Sequence, residues 1–399
     1  MNKTFRNPAV TGVLAAAALV VLALVAPAVG QSPFKMPRTL AWTAYDVGSA
    51  GYIQAASIGH AMSTKYGITL RVVRAGNDVS RQAPLAARRV HFGALGGGSF
   101  LSQEGVLDFS NTDWGPQAVR IIGAAWGDFN TGNVAAAGDA GIKTVFDLKG
   151  KRLAWVVGAP ALNSNMEAFL ACANLTWNDV KKVEYPSWGA SARAVIEGTA
   201  DAFIASTNSG LVYELAAAPR KYVAATVPSP KEDPECWKRL KKVAPHFQYH
   251  LATVGAGTIS KENPQKGATY GYPIITTYAD QNAELVYQQT RMLYDLLPDY
   301  VTAHPGNAGF ALDKQVLAWV MPYHDGAIRY FKDKGVWTAE LQKHNDSLVR
   351  RQEILATAWD KALGETSAKK VKAKDFPALW MEIRAASLRE AGLDPYWEK

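Results

Sequence analysis

The sequence predicts an α/β fold with two lobes, and three observations support this prediction. Strand-like apolar runs alternate with helix-like segments along most of the 399 residues, which is the pattern of sheets covered by helices. The chain is too long for a single hydrophobic core. The order of the segments also predicts that the chain leaves the first lobe and later returns to it, so two segments would cross a hinge.

The first segment, residues 1–28, has the pattern of an export signal. Lys3 and Arg6 precede an apolar run, and the small residues Ala26-Pro27-Ala28 offer a cleavage site. Cleavage would leave the protein free in the periplasm, whereas an uncleaved run would remain as a membrane anchor. The prediction is a periplasmic protein, with cleavage and retention both open.

The first predicted strand and helix enclose the most informative stretch of the chain. A strand over residues 38–45 leads into Gly48-Ser49-Ala50-Gly51-Tyr52, and a helix follows to residue 65. A glycine-rich turn at a helix start presents free backbone N–H groups and the positive end of a helix dipole, which favour a small anion. Later elements of the first lobe are predicted at residues 69–74 (strand), 79–88 (helix) and 91–95 (strand).

A second unit of the same kind is predicted roughly one hundred residues later. A strand at residues 153–157 is followed by Asn163 and Ser164, which are good N-cap residues for a helix over residues 166–173. The remaining elements of this lobe are predicted at residues 183–186 (strand), 190–197 (helix) and 202–205 (strand).

The order of these elements predicts the domain boundaries. Past residue 336 the composition becomes polar and helical, which predicts an added helical region. The predicted domains are lobe 1 over residues 32–137 and 256–336, lobe 2 over residues 138–255, and a C-terminal helical extension over residues 337–399.

Charge and cysteine content exclude several classes of function. The formal net charge is +8, but the basic residues are scattered, so no nucleic-acid partner is expected. The histidines and cysteines lack metal-ligand spacing and no Gly-x-Ser-x-Gly turn is present, so neither a cofactor nor catalysis is expected. Cys172 and Cys236 could form a disulfide or lie apart as buried side chains.

The candidate ligand-binding residues follow strands, where the crevice of an open α/β sheet lies. For the polar residues the alternative is helix capping, and for the aromatic residues it is packing in the core. Arg74, Arg81 and Arg193 are candidate cations for an anionic ligand, and the sequence does not rank them. The candidates are Gly48, Ser49, Gly51, Tyr52, Asn77 and Ser99 in lobe 1, and Asn163, Ser164, Asn165, Trp188 and Asn208 in lobe 2.

Four stretches, at residues 48–52, 147–153, 197–203 and 322–331, carry a resemblance to a known family. Together they resemble the TAXI-type solute receptors of tripartite ATP-independent periplasmic (TRAP) transporters. The last stretch is the most specific, although Asp325 stands where the family usually has proline. The second-lobe loop also lacks the family's usual Gly-Ser-Gly-Thr run, so the ligand could differ.

The resemblance implies a periplasmic binding protein fold, type II-like, with the C-terminal helices added. It implies a monomeric receptor that captures a small organic anion, such as a glutamate-like amino acid or a related carboxylate, between its lobes. The partners would be the membrane permease subunits of a TRAP transporter. The alternatives are a periplasmic enzyme or a sensor subunit that uses the same fold. His324, in the matching turn, is predicted to be a hydrogen-bonded turn residue rather than a ligand.

Overall fold

The computed structural model describes residues 34–397, and the predicted export signal lies outside this range. The strands are β1 Thr39–Ala44, β2 Thr69–Arg74, β3 Phe92–Leu95, β4 Val119–Ala124, β5 Asn133–Ala137, β6 Arg152–Val156, β7 Lys181–Tyr185, β8 Ala202–Ala205, β9 Tyr222–Ala224, β10 Gln248–Ala252, β11 Gln265–Thr269 and β12 Ile274–Tyr278. The α-helices are α1 Ala50–Tyr66, α2 Asp78–Ala86, α3 Gly98–Glu104, α4 Pro160–Cys172, α5 Trp188–Glu197, α6 Gly210–Ala217, α7 Pro234–Val243, α8 Ala283–Asp295, α9 Leu297–Tyr300, α10 Asp325–Asp333, α11 Ala339–Lys369 and α12 Phe376–Glu390. Within the described range, no helix is both long enough and apolar enough to cross a membrane.

Two sheets of five strands have the same internal order. The first runs β2-β1-β3-β12-β4 and the second β7-β6-β8-β5-β9. In each sheet the first three strands are parallel, and the fourth strand is antiparallel to its neighbours. We call the first sheet with its helices lobe 1 and the second sheet with its helices lobe 2.

The chain passes between the two sheets twice. The first passage lies between β4 and β5, so residues 133–137 pair in the second sheet, ahead of the boundary expected at residue 137. The second passage leads through the two-stranded ladder β10-β11 to β12, which returns to the first sheet. In both sheets the antiparallel fourth strand is therefore the one that arrives from the other lobe.

Local side chains cap the starts of the first two helices. Ser49 accepts a hydrogen bond from the backbone N–H of Tyr52 and begins α1, and Gly67 ends it in the left-handed conformation. Asn77 and Ser80 form a reciprocal capping box at the start of α2. Because β1 and β2 are parallel, the β1–α1 and β2–α2 loops lie at the same edge of the first sheet.

Helix α4 differs from its prediction. It begins at Pro160, whereas the sequence predicted a start at residue 166 with Asn163 or Ser164 as the cap. Proline fits the first helical position, and the side chain of Asn163 is instead hydrogen-bonded to both the N–H and the C=O of Val156 in β6. The capping prediction for Asn163 and Ser164 is therefore wrong.

The structure decides between the two possibilities for the cysteines. Cys172, at the end of α4, is disulfide-bonded to Cys236 in α7.

His324 lies in the turn before α10. It caps α10 by accepting from the N–H of Gly326, and its other ring nitrogen is 3.1 Å from the carbonyl oxygen of Gln281. The prediction of a hydrogen-bonded turn histidine is confirmed.

The C-terminal region forms two helices that pack on lobe 1. Helices α11 and α12 share their own hydrophobic cluster, in which Leu355, Phe376 and Trp380 are fully buried. Glu104 at the end of α3 is also fully buried and pairs with Arg351 of α11 and Arg384 of α12. The predicted two-lobed α/β fold and the added helical region are thus both confirmed.

Candidate functional site

The candidate site lies where the carboxyl ends of the parallel strands of the two sheets meet. Loops from the two lobes are joined directly by backbone hydrogen bonds: the N–H of Trp188 donates to Gly76 O at 2.9 Å, and the N–H of Val79 donates to Gly158 O at 3.1 Å. A Cβ on Gly76 would come within 2.7 Å of Ser187 Cβ, so only glycine permits this approach. The structure is therefore a closed arrangement of the two lobes.

A small cavity remains between the closed lobes. Its volume is about 30 Å³. A water molecule needs roughly 10–15 Å³ of such volume, so the cavity has room for about two waters. A solute of amino-acid size enters only if the lobes separate. The lining residues are Tyr45, Ser49, Asp78, Arg81, Gly96, Gly97, Thr131, Gly132, Ala161, Leu162, Trp188, Ile204, Ala205, Ser206, Ser209, Tyr270 and Tyr272.

Asp78 and Arg81 supply the charged groups of this lining. They lie one turn apart on α2, and their N–O distance is 2.5 Å. The hydroxyl of Tyr45, at the end of β1, donates to Asp78 Oδ1 at 2.5 Å. The guanidinium of Arg81 lies 3.2 Å from the centre of the Tyr45 ring. All three side chains are buried, so the site contains an ion pair removed from water.

The pKa values of Tyr45 and Arg81 favour a neutral phenol and a charged guanidinium. Burial raises the pKa of Tyr45 well above its usual range, so the hydroxyl keeps its proton. Burial opposes the charge of Arg81, but its contact with the face of the Tyr45 ring and the charge of Asp78 outweigh burial and raise the pKa of Arg81. Arg81 therefore remains a cation inside the cavity wall.

Two donors in the lining have no hydrogen-bond partner among the described residues. They are Nε of Arg81 and the hydroxyl of Thr131, and both side chains are almost fully buried. Buried polar groups without a partner are costly, and such groups normally bind water or a ligand. These two groups therefore point to a polar guest in the cavity.

The structure brings two of the predicted site residues into the lining, Ser49 and Trp188. The side chain of Ser49 also caps α1. The indole N–H of Trp188 donates to Ile204 O at 2.9 Å, and its ring stacks on Tyr45 with 6.3 Å between the ring centres. Trp188 thus forms the lobe 2 wall opposite the buried ion pair.

The other predicted residues of lobe 1 lie around the cavity without lining it. Gly48 packs against Leu211 of lobe 2, and Gly51 lies beside the Tyr272 hydroxyl. Tyr52 is half-buried against the core. Asn77 caps α2, and its side-chain amide donates to Val157 O of lobe 2. Ser99 is hydrogen-bonded to Thr276.

The predicted polar residues of lobe 2 are buried in their own lobe or at its contact with lobe 1. Asn163 is hydrogen-bonded to β6, and Ser164 donates to Ala161 O. Asn165 donates to the Tyr270 hydroxyl at 3.5 Å. The side-chain amide of Asn208 is fully buried and has no partner among the described residues.

The structure also distinguishes the three candidate cations. Arg81 is buried in the lining, whereas Arg74 is exposed at the end of β2. Arg193 is exposed as well, and it lies 3.5 Å from Glu214. Arg81 is therefore the only one of the three that a solute in the cavity could contact.

Sequence reasoning missed several lining residues. Tyr270 and Tyr272 lie in the return passage to β12, where the sequence predicted only an extended chain. The hydroxyl of Tyr270 accepts from the N–H of Gly97, and burial raises its pKa to about 12. The spacing of Asp78 and Arg81 on a helix was a usable signal, since residues three apart share a helix face.

Several solved structures align with the chain, although at low identity. The alkanesulfonate-binding protein SsuA from Xanthomonas axonopodis pv. citri, bound to MOPS, is 13% identical with a TM-score of 0.42, over 85% of this chain and 96% of that one. The periplasmic aliphatic sulphonate binding protein SsuA from Escherichia coli is 14% identical with a TM-score of 0.37. The alignment covers 79% of this chain and 87% of that one. An ABC transporter periplasmic binding protein from Brucella ovis with glutathione bound is 12% identical with a TM-score of 0.41. The alignment covers 64% of this chain and 68% of that one.

The comparison with protein families gives a match over most of the chain. The model of the NMT1-like family matches residues 45–335. This range contains nearly all of both sheets and every lining residue of the cavity. The chain therefore belongs to the NMT1-like family.

Proposed function

We propose that the protein is an extracytoplasmic receptor that captures a small organic anion between its lobes. A glutamate-like amino acid or a related carboxylate is the proposed solute class. The observation that supports it is Arg81, a buried guanidinium in the cavity wall whose Nε has no partner among the described residues. Hydrogen bonds from a guanidinium to a carboxylate are strong, and burial removes the competing water.

Capture would follow from the two-lobed fold. Each lobe contributes loops to one cavity, and the cavity is too small for a solute unless the lobes part. A solute that binds both lobes favours the closed state, because it interacts with that state more strongly than with the open one. The contact between Gly76 and Trp188 would then re-form around the bound solute.

The test is ligand-dependent stabilisation of protein that carries no solute. The protein is unfolded, dialysed and refolded, and its melting temperature is measured with a panel of amino acids, keto acids, dicarboxylates and sulfonates. A solute at 100 times its Kd should stabilise the folded state by about 2.7 kcal/mol. The proposal fails if no member of the panel raises the melting temperature.

A matched pair of variants tests the role of the guanidinium. Arg81→Gln should weaken binding of the solute found in the panel by about tenfold or more, since it removes a charged hydrogen-bond donor. Arg74→Gln removes the same charge from an exposed position of the same lobe and should leave affinity unchanged. Equal affinity in the two variants would contradict an anion site at Arg81.

We further propose that the bound solute passes to the permease subunits of a TRAP transporter, as the resemblance at residues 322–331 implies. Uptake is measured in cells that produce the receptor with candidate permease subunits. For a TRAP partner, uptake should collapse when the ion gradient is dissipated and should continue without ATP hydrolysis. Uptake that instead requires ATP hydrolysis would contradict this partner.

A further inference from the structure

Asp78 joins lobe 1 to the start of a helix in lobe 2. Its Oδ2 accepts the backbone N–H of Ala161, the second residue of α4, at 2.8 Å. Ala159, at the N-cap position, gives α4 no side-chain hydrogen bond, and Pro160 has no N–H to satisfy. The cap of α4 is therefore a carboxylate that comes from the opposite lobe.

The other oxygen of Asp78 is held entirely within lobe 1. Oδ1 accepts from the Tyr45 hydroxyl and from Arg81, both at 2.5 Å. Because these two bonds lie within lobe 1, separation of the lobes would break only the bond from Asp78 to Ala161. The carboxylate thus stays on lobe 1, while the N-terminus of α4 is exposed to an incoming solute.

The groups around this N-terminus are suited to a second anion. The N–H of Ala161 points into the cleft, and the positive end of the α4 dipole favours negative charge there. Arg81 Nε and the Thr131 hydroxyl are independent signs of a guest, because both are buried in the lining and lack partners among the described residues.

We propose that Asp78 is the protein's own substitute for the anionic group of the solute. In the solute-free closed state it caps α4, and in the bound state the solute's anionic group takes the N–H of Ala161 in its place. Asp78 is then a specificity-determining residue that lowers affinity for anions by competing with them. This inference rests on the proposed function, since it concerns the same cavity and the same class of solute.

The test uses Asp78→Asn with acetate as the probe. Asparagine preserves the size of the side chain but removes the competing charge, and Arg81 is left without its counter-charge. The melting temperature is measured as sodium acetate replaces sodium chloride at constant ionic strength. The variant should bind acetate at least tenfold more tightly than the wild type. Equal or weaker binding would overturn the inference.

Asp113→Asn is the matched control. Asp113 is exposed, lies in lobe 1 outside the cavity lining, and loses the same charge on substitution. Its acetate affinity should equal that of the wild type. A gain in Asp113→Asn as large as in Asp78→Asn would show that net charge alone is responsible, and this too would overturn the inference.

A second variant keeps the inference testable if Asp78→Asn does not fold. Ala161→Pro removes the N–H for which Asp78 and the solute would compete, in the first turn of α4, where no hydrogen bond within the helix is lost. Acetate should then bind several-fold more weakly than to the wild type, and unchanged affinity would overturn the inference. A wild type that responds to no panel solute, beside an Asp78→Asn variant that gains acetate binding, would refute the proposed function alone.

Discussion

Glu104 is a buried charged residue that joins both C-terminal helices to lobe 1. It is fully buried, and its two carboxylate oxygens accept hydrogen bonds from Arg351 and Arg384. Burial alone would raise the pKa of Glu104, but the hydrogen bonds from Arg351 and the charge of Arg384 outweigh it and lower the pKa. The carboxylate therefore stays ionised as the shared partner of two guanidinium groups.

Replacing Glu104 by glutamine should destabilise the protein strongly. Two buried guanidinium groups would lose their negative partner, which costs about 3–5 kcal/mol in comparable pairs. Urea unfolding monitored by tryptophan fluorescence measures the change. Glu365→Gln, which breaks an exposed pair with Lys369 on α11, is the control and should change stability little. A loss as small as that of the control would contradict the inferred anchoring role.

His246 should make stability depend on pH. Burial, with a smaller contribution from Lys241, lowers its pKa to about 3, and both ring nitrogens lack partners among the described residues. In the unfolded chain, a histidine has a pKa of about 6.5. Below this pH the unfolded chain binds a proton at His246 that the folded chain does not. The neutral imidazole therefore stabilises the fold fully above pH 6.5, and this stability is lost as the pH falls towards 3.

Replacing His246 by glutamine should make this pH dependence shallower. The wild type should lose up to about 1.4 kcal/mol per pH unit through this residue between pH 6.5 and 4. His250, His304 and His324 have lowered pKa values from burial and act in the same direction in both proteins. Urea unfolding at four pH values compares the slopes, and identical slopes would contradict the prediction.

The disulfide joins α4 to α7 within lobe 2. Cys172 and Cys236 are 64 residues apart in sequence, so the bond closes a long loop in the unfolded chain. Replacing both by alanine should lower the free energy of unfolding by about 2–4 kcal/mol. Solute affinity should be unchanged, because Cys172 lies at the end of α4 away from the cavity. A variant as stable as the wild type under oxidising conditions would refute this prediction.

The sequence predicts elements well where their signals are local. The start of α1 and the capping of α2 by Asn77 depend on neighbouring residues, and the structure places both within two residues of the prediction. The start of α4 was missed because its cap is Asp78, a residue distant in sequence and located in the other lobe. Local capping rules therefore selected Asn163 and Ser164, whose polarity serves the interior of lobe 2.

The composition of the cavity was only partly predictable for the same reason. Ser49 and Trp188 follow strands at helix starts, which is a signal that sequence reasoning can use. Thr131 and Tyr270 lie on the two passages between the lobes, and their positions depend on how the sheets are arranged rather than on local pattern. Pairing of β5 in the second sheet depends likewise on contacts distant in sequence.

The C-terminal segment, residues 391–397, connects the two lobes. Arg351 and Arg384 donate to the carbonyl oxygens of Asp394 and Pro395, which holds the segment on the lobe 1 side. The indole N–H of Trp397 then donates to Val243 O in α7 of lobe 2 at 3.1 Å. The segment thus links the lobes outside the two passages of the chain.

The hydrogen bond from Trp397 to Val243 O should favour the closed state of the lobes. Trp397→Ala removes this bond and should therefore make the closed state less stable. The lost hydrogen bond and indole packing are expected to contribute about 1–2 kcal/mol, so solute affinity should fall roughly 5- to 30-fold as the closed population decreases. Small-angle X-ray scattering should show a larger radius of gyration without solute. Tyr396→Ala is the control, because Tyr396 packs on Phe100 and Arg351 of the lobe 1 side. Equal effects in both variants would mean that the segment stabilises lobe 1 rather than closure.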